Sequence, residues 1–139
     1  MTGVQTCALP ILAFVSNRLG YPNVFKQSIN GGGVSQVVFR GKNNNAVDAD
    51  GDKIVFSSRE SDRSYGSNSF NLYLTHSGNS GTRPLTSTGD NQFPRFSVDG
   101  TILLYIKTLG NRSSVGYINL ESNQNLLFPL GGKVQSIDW

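Results

Sequence analysis

The sequence has 139 residues, enough for one domain with a real core, and its 12 basic and 9 acidic side chains leave a net charge of +3. Those charges are scattered and form no Lys/Arg run, so the electrostatic footprint of a nucleic-acid binder is missing. No apolar stretch reaches the roughly 18 residues of a membrane-spanning helix, and the abundant Asn, Ser and Gly suit a chain of many tight turns.

Residues 1–11 are read apart from the rest. Thr2-Gly3-Val4-Gln5-Thr6-Cys7-Ala8-Leu9-Pro10-Ile11 reads as the in-frame translation of a sequencing adapter, a scar to be left out of fold reasoning. A signal peptide or a lipoprotein anchor at Cys7 is the rival reading. Met1 to Thr6 holds no Lys or Arg, however, and Gln5-Thr6 before Cys7 suits lipidation poorly. Without this segment the chain has no cysteine, which permits an extracytoplasmic location without demanding one. The gene is then expected to begin upstream.

From there the chain reads as short strands. Leu12 to Ser16 is a buried strand, Asn17 to Pro22 a loop, and Asn23 to Ile29 the next strand. Asn30-Gly31-Gly32-Gly33 could cradle a phosphate only if a helix followed. Val34 to Phe39 is instead β-branched and strand-like, so the glycines read as a turn. Asp48-Ala49-Asp50-Gly51-Asp52 resembles a calcium loop, but the sixth and twelfth positions hold Lys53 and Arg59 where glycine and glutamate are needed. A hairpin turn is the better reading. Ile54 to Ser58 is a strand, 59–68 a long charged loop, Phe70 to Thr75 a strand, and Thr82 to Thr86 an outer strand whose edge tolerates Pro84.

Phe93 to Lys107 organises the whole. Phe93 to Val98 and Ile102 to Ile106 form a hairpin closed by Asp99-Gly100, since glycine takes the positive φ of a tight turn without steric cost. Ile102 to Ile106 is apolar without alternation, which predicts cover on both faces and a buried Leu104 whose loss would cost about 2–5 kcal/mol. Val115 to Leu120 and Asn125 to Leu130 complete the unit. Asp50 stands six positions before Phe56 as Asp99 stands six before Tyr105, and Phe14, Phe56 and Tyr105 are 42 and 49 positions apart. A period in the forties with several short strands per repeat predicts four-stranded propeller blades. The fold class is all-β: a partial β-propeller of about two four-stranded antiparallel blades, a partial blade and a lone carboxyl-terminal strand. That last strand, Lys133 to Trp139, is read as an inner strand, with Ile137 standing where Phe96 and Val47 stand.

The chemistry of an enzyme is not evident. His76 is the only histidine, no Gly-x-Ser-x-Gly elbow exists, and no pair of carboxylates converges by spacing alone. No catalytic residue, metal ligand or cofactor is expected.

The segments Ala13-Phe14-Val15-Ser16-Asn17-Arg18, Val55-Phe56-Ser57-Ser58-Arg59, Asn71-Leu72-Tyr73-Leu74, Arg83-Pro84-Leu85-Thr86 and Phe93-Pro94-Arg95-Phe96-Ser97-Val98-Asp99-Gly100 resemble the blade pattern of the TolB-type propeller family over about residues 12–139. The ending Gln135-Ser136-Ile137-Asp138-Trp139 is similar to the carboxyl end of its Tol-Pal members. The resemblance implies a periplasmic, non-enzymatic scaffold of the Tol-Pal envelope system. Its small amino-terminal α/β domain would precede a six-bladed propeller and engage TolA, and the propeller would bind the peptidoglycan-associated lipoprotein Pal. A signal peptide would lie upstream. The alternative is the gating propeller of a prolyl-oligopeptidase-like or other hydrolase, which would continue into a catalytic domain after Trp139.

In such propellers the binding face is built by loops entering inner strands, here 42–45 and 89–92, and by loops joining second and third strands, here 17–21, 59–68 and 108–114. Arg18, Arg59 and Asn91 lie in these loops, and Arg95 lies on an inner strand with access to the channel. These four residues are the candidate partner contacts.

Overall fold

Runs of β-branched and aromatic residues bounded by Gly, Asn and Asp become extended, because branched side chains pack well on a pleated surface while the boundary residues supply the turns. The computed structural model describes residues 10–39, 43–59, 70–77, 81–132, 134 and 137, and among these the chain forms eleven strands and no helix. They are β1 (Ile11–Ser16), β2 (Asn23–Ser28), β3 (Ser35–Gln36), β4 (Asn44–Asp50), β5 (Lys53–Ser58), β6 (Asn71–His76), β7 (Thr82–Pro84), β8 (Asp90–Phe96), β9 (Ile102–Leu109), β10 (Arg112–Asn119) and β11 (Asn125–Pro129). Three antiparallel meanders result, ordered β1-β2-β3, β4-β5-β6-β7 and β8-β9-β10-β11, so the partial propeller is observed.

The middle blade has neighbours on both faces, and the alternation of β5 sorts its side chains between them. Ile54 and Phe56 pack with Val24 and Val38 of the first blade. Val55 packs with Leu72, Leu74, Phe96, Leu103, Tyr105 and Ile118, joining the second blade to the third. Burying each such side chain stabilises the fold by about 1.5–3 kcal/mol. Phe56 and Tyr105 both face the preceding blade.

The organising hairpin differs in detail from its sequence reading. Strand β8 starts at Asp90 and ends at Phe96, and the turn takes residues 97–101. A bulge interrupts its pairing with β9 between Gln92 and Arg95, which accommodates Pro94 and leaves Phe93 at a positive φ of 57°. Strand β4 has the same bulge between Asn45 and Asp48, with Ala46 at φ 51°. The bulges set the true register of the repeat. Asn44 matches Asn91, Val47 matches Pro94 and Asp48 matches Arg95, so Val47 and Phe96 are not equivalent positions.

The expectation that both faces of β9 are covered holds in part. Leu103 and Tyr105 are buried on the face towards the second blade, and on the opposite face Ile106 is buried too, whereas Leu104 beside it is only half-buried, so the buried Leu104 expected from the sequence is not observed. The strand expected over 34–39 shrinks to β3, and β1 begins at Ile11, one residue inside the segment read as a scar. The rest of that segment, apart from Pro10, lies outside the described residues. So do Lys133, Gln135, Ser136, Asp138 and Trp139 of the expected last strand, whose Val134 and Ile137 are not in a strand.

The rim strands β7 and β11 each carry a proline. Leu85 N donates to Leu72 O, and Leu130 N donates to Ser113 O. Counting along the antiparallel ladders by twos, Pro84 and Pro129 fall at positions whose backbone nitrogen points away from the sheet. A residue that cannot donate thus stands where a donor would face outward.

Candidate functional site

Meanders of one sense bring the ends of β1, β5 and β9 and the starts of β4 and β8 to one end of the molecule, termed the mouth. Backbone hydrogen bonds tie its segments together: Asn44 N to Pro22 O at 3.1 Å, Arg59 N to Asn43 O at 3.1 Å and Asn91 N to Phe70 O at 2.8 Å.

Two of these contacts belong to a repeated clamp between blades. Buried Asn44 donates through Nδ2 to Oδ1 of buried Asn23 at 3.2 Å, and buried Asn91 donates through Nδ2 to Oδ1 of Asn71 at 3.2 Å. In each case the asparagine lies at the start of an inner strand, first in β4 and second in β8, and reaches the first residue of the third strand of the preceding blade. Buried amides must be paired to be tolerated, so each clamp fixes blade against blade. Asn91 Nδ2 also donates to Thr88 O at 2.8 Å and lies 3.4 Å from Phe70 O.

Arg18 follows β1 and is exposed, and its guanidinium lies 4.7 Å from the Phe25 ring centroid and 5.6 Å from that of Phe14. The two rings are stacked 6.1 Å apart, and Arg18 Nε donates to Ser16 Oγ at 3.2 Å. Arg59 directly follows β5, one position earlier in its repeat than Arg18, its guanidinium 5.6 Å from the centroid of Phe70. A guanidinium over an aromatic ring gains a cation–π attraction that helps hold the side chain in place.

Arg95 sits farther along the inner strand. Its Nη1 is 3.8 Å from Oδ1 of Asp48 on β4, and Asp48 Oδ2 accepts from the Phe96 backbone N–H at 2.8 Å. This inter-blade ion pair is half exposed, which limits it to about 0–1 kcal/mol of stability. Of the four residues expected from the sequence, Arg18, Arg59 and Asn91 therefore share the mouth, while Arg95 lines the inner-strand wall. Asn91 is completely buried.

The mouth also holds residues that the sequence reading passed over. Asp90 accepts from the Phe70 backbone N–H at 3.1 Å and from Gln92 Nε2, and Lys107 Nζ donates to Thr88 Oγ1 at 3.4 Å. Aligning the repeats by their bulges, rather than by Asp-Gly, would have placed Lys107 opposite Asn91. His76 closes β6 at the far end, and among the described residues no group of three or more His, Cys, Asp or Glu is placed to hold a metal ion. No helix of the described residues is long and apolar enough to cross a membrane.

The chain is 50% identical over 130 residues to a protein of Wolinella succinogenes named Tol-Pal system protein TolB, 44% identical over 131 residues to one of Helicobacter hepaticus and 47% identical over 129 residues to one of Campylobacter jejuni, both with the same name. Each comparison takes in 92% of this chain and 31% of the relative, so the chain spans about a third of their length. Its fold matches the crystal structure of TolB from Acinetobacter baumannii with a TM-score of 0.69 at 23% identity, over 94% of this chain and 35% of that one. A TolB-type structure from Agrobacterium tumefaciens gives a TM-score of 0.72 at 15% identity, over 93% and 50%. The sequence matches the family described as TolB beta propeller domain (PD40) over residues 10–139, and a match of that extent makes the chain a member of that family.

Proposed function

We propose that the chain is the protein-binding propeller portion of a Tol-Pal system protein, that it acts in the periplasm without catalysing a reaction, and that its mouth binds the lipoprotein Pal in support of outer-membrane integrity and cell division. The observation that carries this reading is the 41–50% identity to relatives named for the Tol-Pal system. Those relatives are named for a system rather than for a reaction. Engagement of TolA would belong to an amino-terminal region outside these residues.

Within this reading Arg18 and Arg59 offer guanidinium edges at the mouth, Arg95 offers a third along the channel wall, and Asn91 acts from beneath by fixing the ends of the segments around it. The test is biolayer interferometry with immobilised soluble Pal domain. Saturable binding is expected, weakened by Arg18→Glu and Arg59→Glu. No binding of the wild-type chain, or binding indifferent to both reversals and to Arg95→Glu, would overturn the reading.

A further inference from the structure

The mouth carries a lysine where its own repeat has a serine. Asn44 pairs across the ladder with Ser58, whose hydroxyl donates to Asn44 Oδ1 and completes the amide's bonding. Asn91 pairs with Lys107, and Asn91 Oδ1, although its residue is fully buried, has no hydrogen-bond partner among the described residues. A buried acceptor left unmade destabilises the fold, so lysine here works against the clamp that serine would complete.

Lys107 is directed elsewhere. Its carbon stem runs over Gly89, where an added Cβ would come within 2.8 Å of Lys107 Cε, and its ammonium makes a long contact with Thr88 Oγ1 at 3.4 Å. The ion pairs among the described residues are Lys53–Asp50 and Arg95–Asp48, and neither uses Lys107. The nearby carboxylate, Asp90, is held by Phe70 N–H and Gln92. The charge around it is one-sided. The described residues of the mouth segments include Arg18, Arg59, Lys107 and Arg112 against Asp90, whereas the opposite end is mixed: Asp50, Asp52, Asp99 and Glu121 stand with Lys53, with Lys26, whose Nζ donates to Ser77 O, and with Arg83, whose Nη1 donates to Asn123 Oδ1.

We propose that Lys107 is a binding residue of the mouth and takes a carboxylate from an acidic segment of the partner, with Arg18, Arg59 and Arg112 setting the sign of the surrounding field. The proposal rests on the mouth being the binding face, as argued above, and gives that face its chemistry. A compact ammonium on a flexible stem suits such a contact, since it follows a mobile carboxylate without a fixed fork geometry. The scaffold gives up a satisfied Asn91 to place it there.

Two variants separate binding from support. Lys107→Ser restores the donor that Ser58 supplies to Asn44, and Lys107→Met keeps the stem over Gly89 while removing the charge. The probes are a short glutamate-rich peptide, its glutamine counterpart and the soluble Pal domain, each titrated calorimetrically into the 139-residue chain. The glutamate peptide is expected to bind, more weakly at about 300 mM salt than at about 50 mM, and the glutamine peptide to fail. Both variants should bind the glutamate peptide about threefold more weakly. Lys107→Ser alone should melt about 3 °C higher. Wild-type affinity for that peptide in both variants, equal binding of the two peptides, or a lower melting point for Lys107→Ser would overturn the proposal. Pal binding unchanged in Lys107→Met overturns it and leaves the Tol-Pal reading standing. Peptide binding without any wild-type Pal binding overturns the Tol-Pal reading and leaves this one.

Discussion

Tyr105 lies across the bare backbone of Gly116, its cross-strand partner in the third blade. A Cβ on Gly116 would stand 2.1 Å from the Tyr105 ring, and the hydroxyl beyond the ring donates to Asn125 Oδ1 at 3.0 Å on the next strand. In the other blades the matching aromatics stack on aromatic partners, Phe14 on Phe25 and Phe56 on Tyr73, so glycine is what lets Tyr105 span the sheet. Gly116→Ala should destabilise the chain by about 1–3 kcal/mol through overpacking, read as a lower urea midpoint. Near-wild-type stability would show that the ring is free to move off the glycine.

Leu103 and Leu104 give the sharpest contrast along one strand. Leu103 is fully buried between the second and third blades, while Leu104 is half-buried on the other face. Leu103→Ala should cost about 2–5 kcal/mol, and Leu104→Ala about 1 kcal/mol, in urea denaturation of the same chain. Equal costs would mean that the outer face of this sheet is as well covered as the inner one.

Gly100 holds the turn of β8 and β9 against the second blade. Its φ is +71°, and a Cβ there would meet Asp50 Oδ2 at 1.9 Å, while its carbonyl accepts from Lys53 Nζ at 2.7 Å. Gly100→Ala should cost about 1–3 kcal/mol, combining left-handed strain with displacement of the carboxylate. Part of that cost should vanish when Asp50→Ala is added, giving a double-mutant coupling of about 1 kcal/mol. Strictly additive effects would place the whole cost in the backbone.

Asp99 in the same turn makes the fold sensitive to acid. The Ser97 hydroxyl, then the backbone N–H and hydroxyl of Thr101, lower its carboxyl from 3.8 to about 2. Between those values the unfolded chain binds more protons than the folded one, so stability rises with pH. The contribution is therefore complete above about pH 4 and is lost as pH falls towards about 2. Melting curves of the wild type and Asp99→Asn should converge as the pH falls to about 2 and separate fully above about pH 4. A gap constant across that window would place the acid sensitivity elsewhere.

The blades were legible in the sequence because their signals are local. Asp99-Gly100 between apolar runs, the spacing of Phe14, Phe56 and Tyr105, and Pro84 on an outer strand each carry a short-range physical reason. The bulges at Ala46 and Phe93 were not legible, since residues other than glycine stand at positive φ there and nothing in the composition announces it. Without the bulges the repeats align by their turns, and Val47 falls wrongly against Phe96. The role of Asn91 was hidden for a different reason. Its amide partner Asn71 is 20 positions away on another blade, and a polar residue entering a strand looks locally like a solvent-facing contact. Lys107 was masked by the apolar run before it.

The prolines of the rim bear on how this protein meets others. A strand added beside β7 or β11 would need a row of outward donors, and Pro84 and Pro129 break that row while Thr82, Asn125 and Leu127 are left to supply it. Backbone zippering with a neighbour is thereby discouraged along the circumference, and a blade resists growing a fifth strand. Any contact along these two rims would then fall to side chains rather than to backbone pairing.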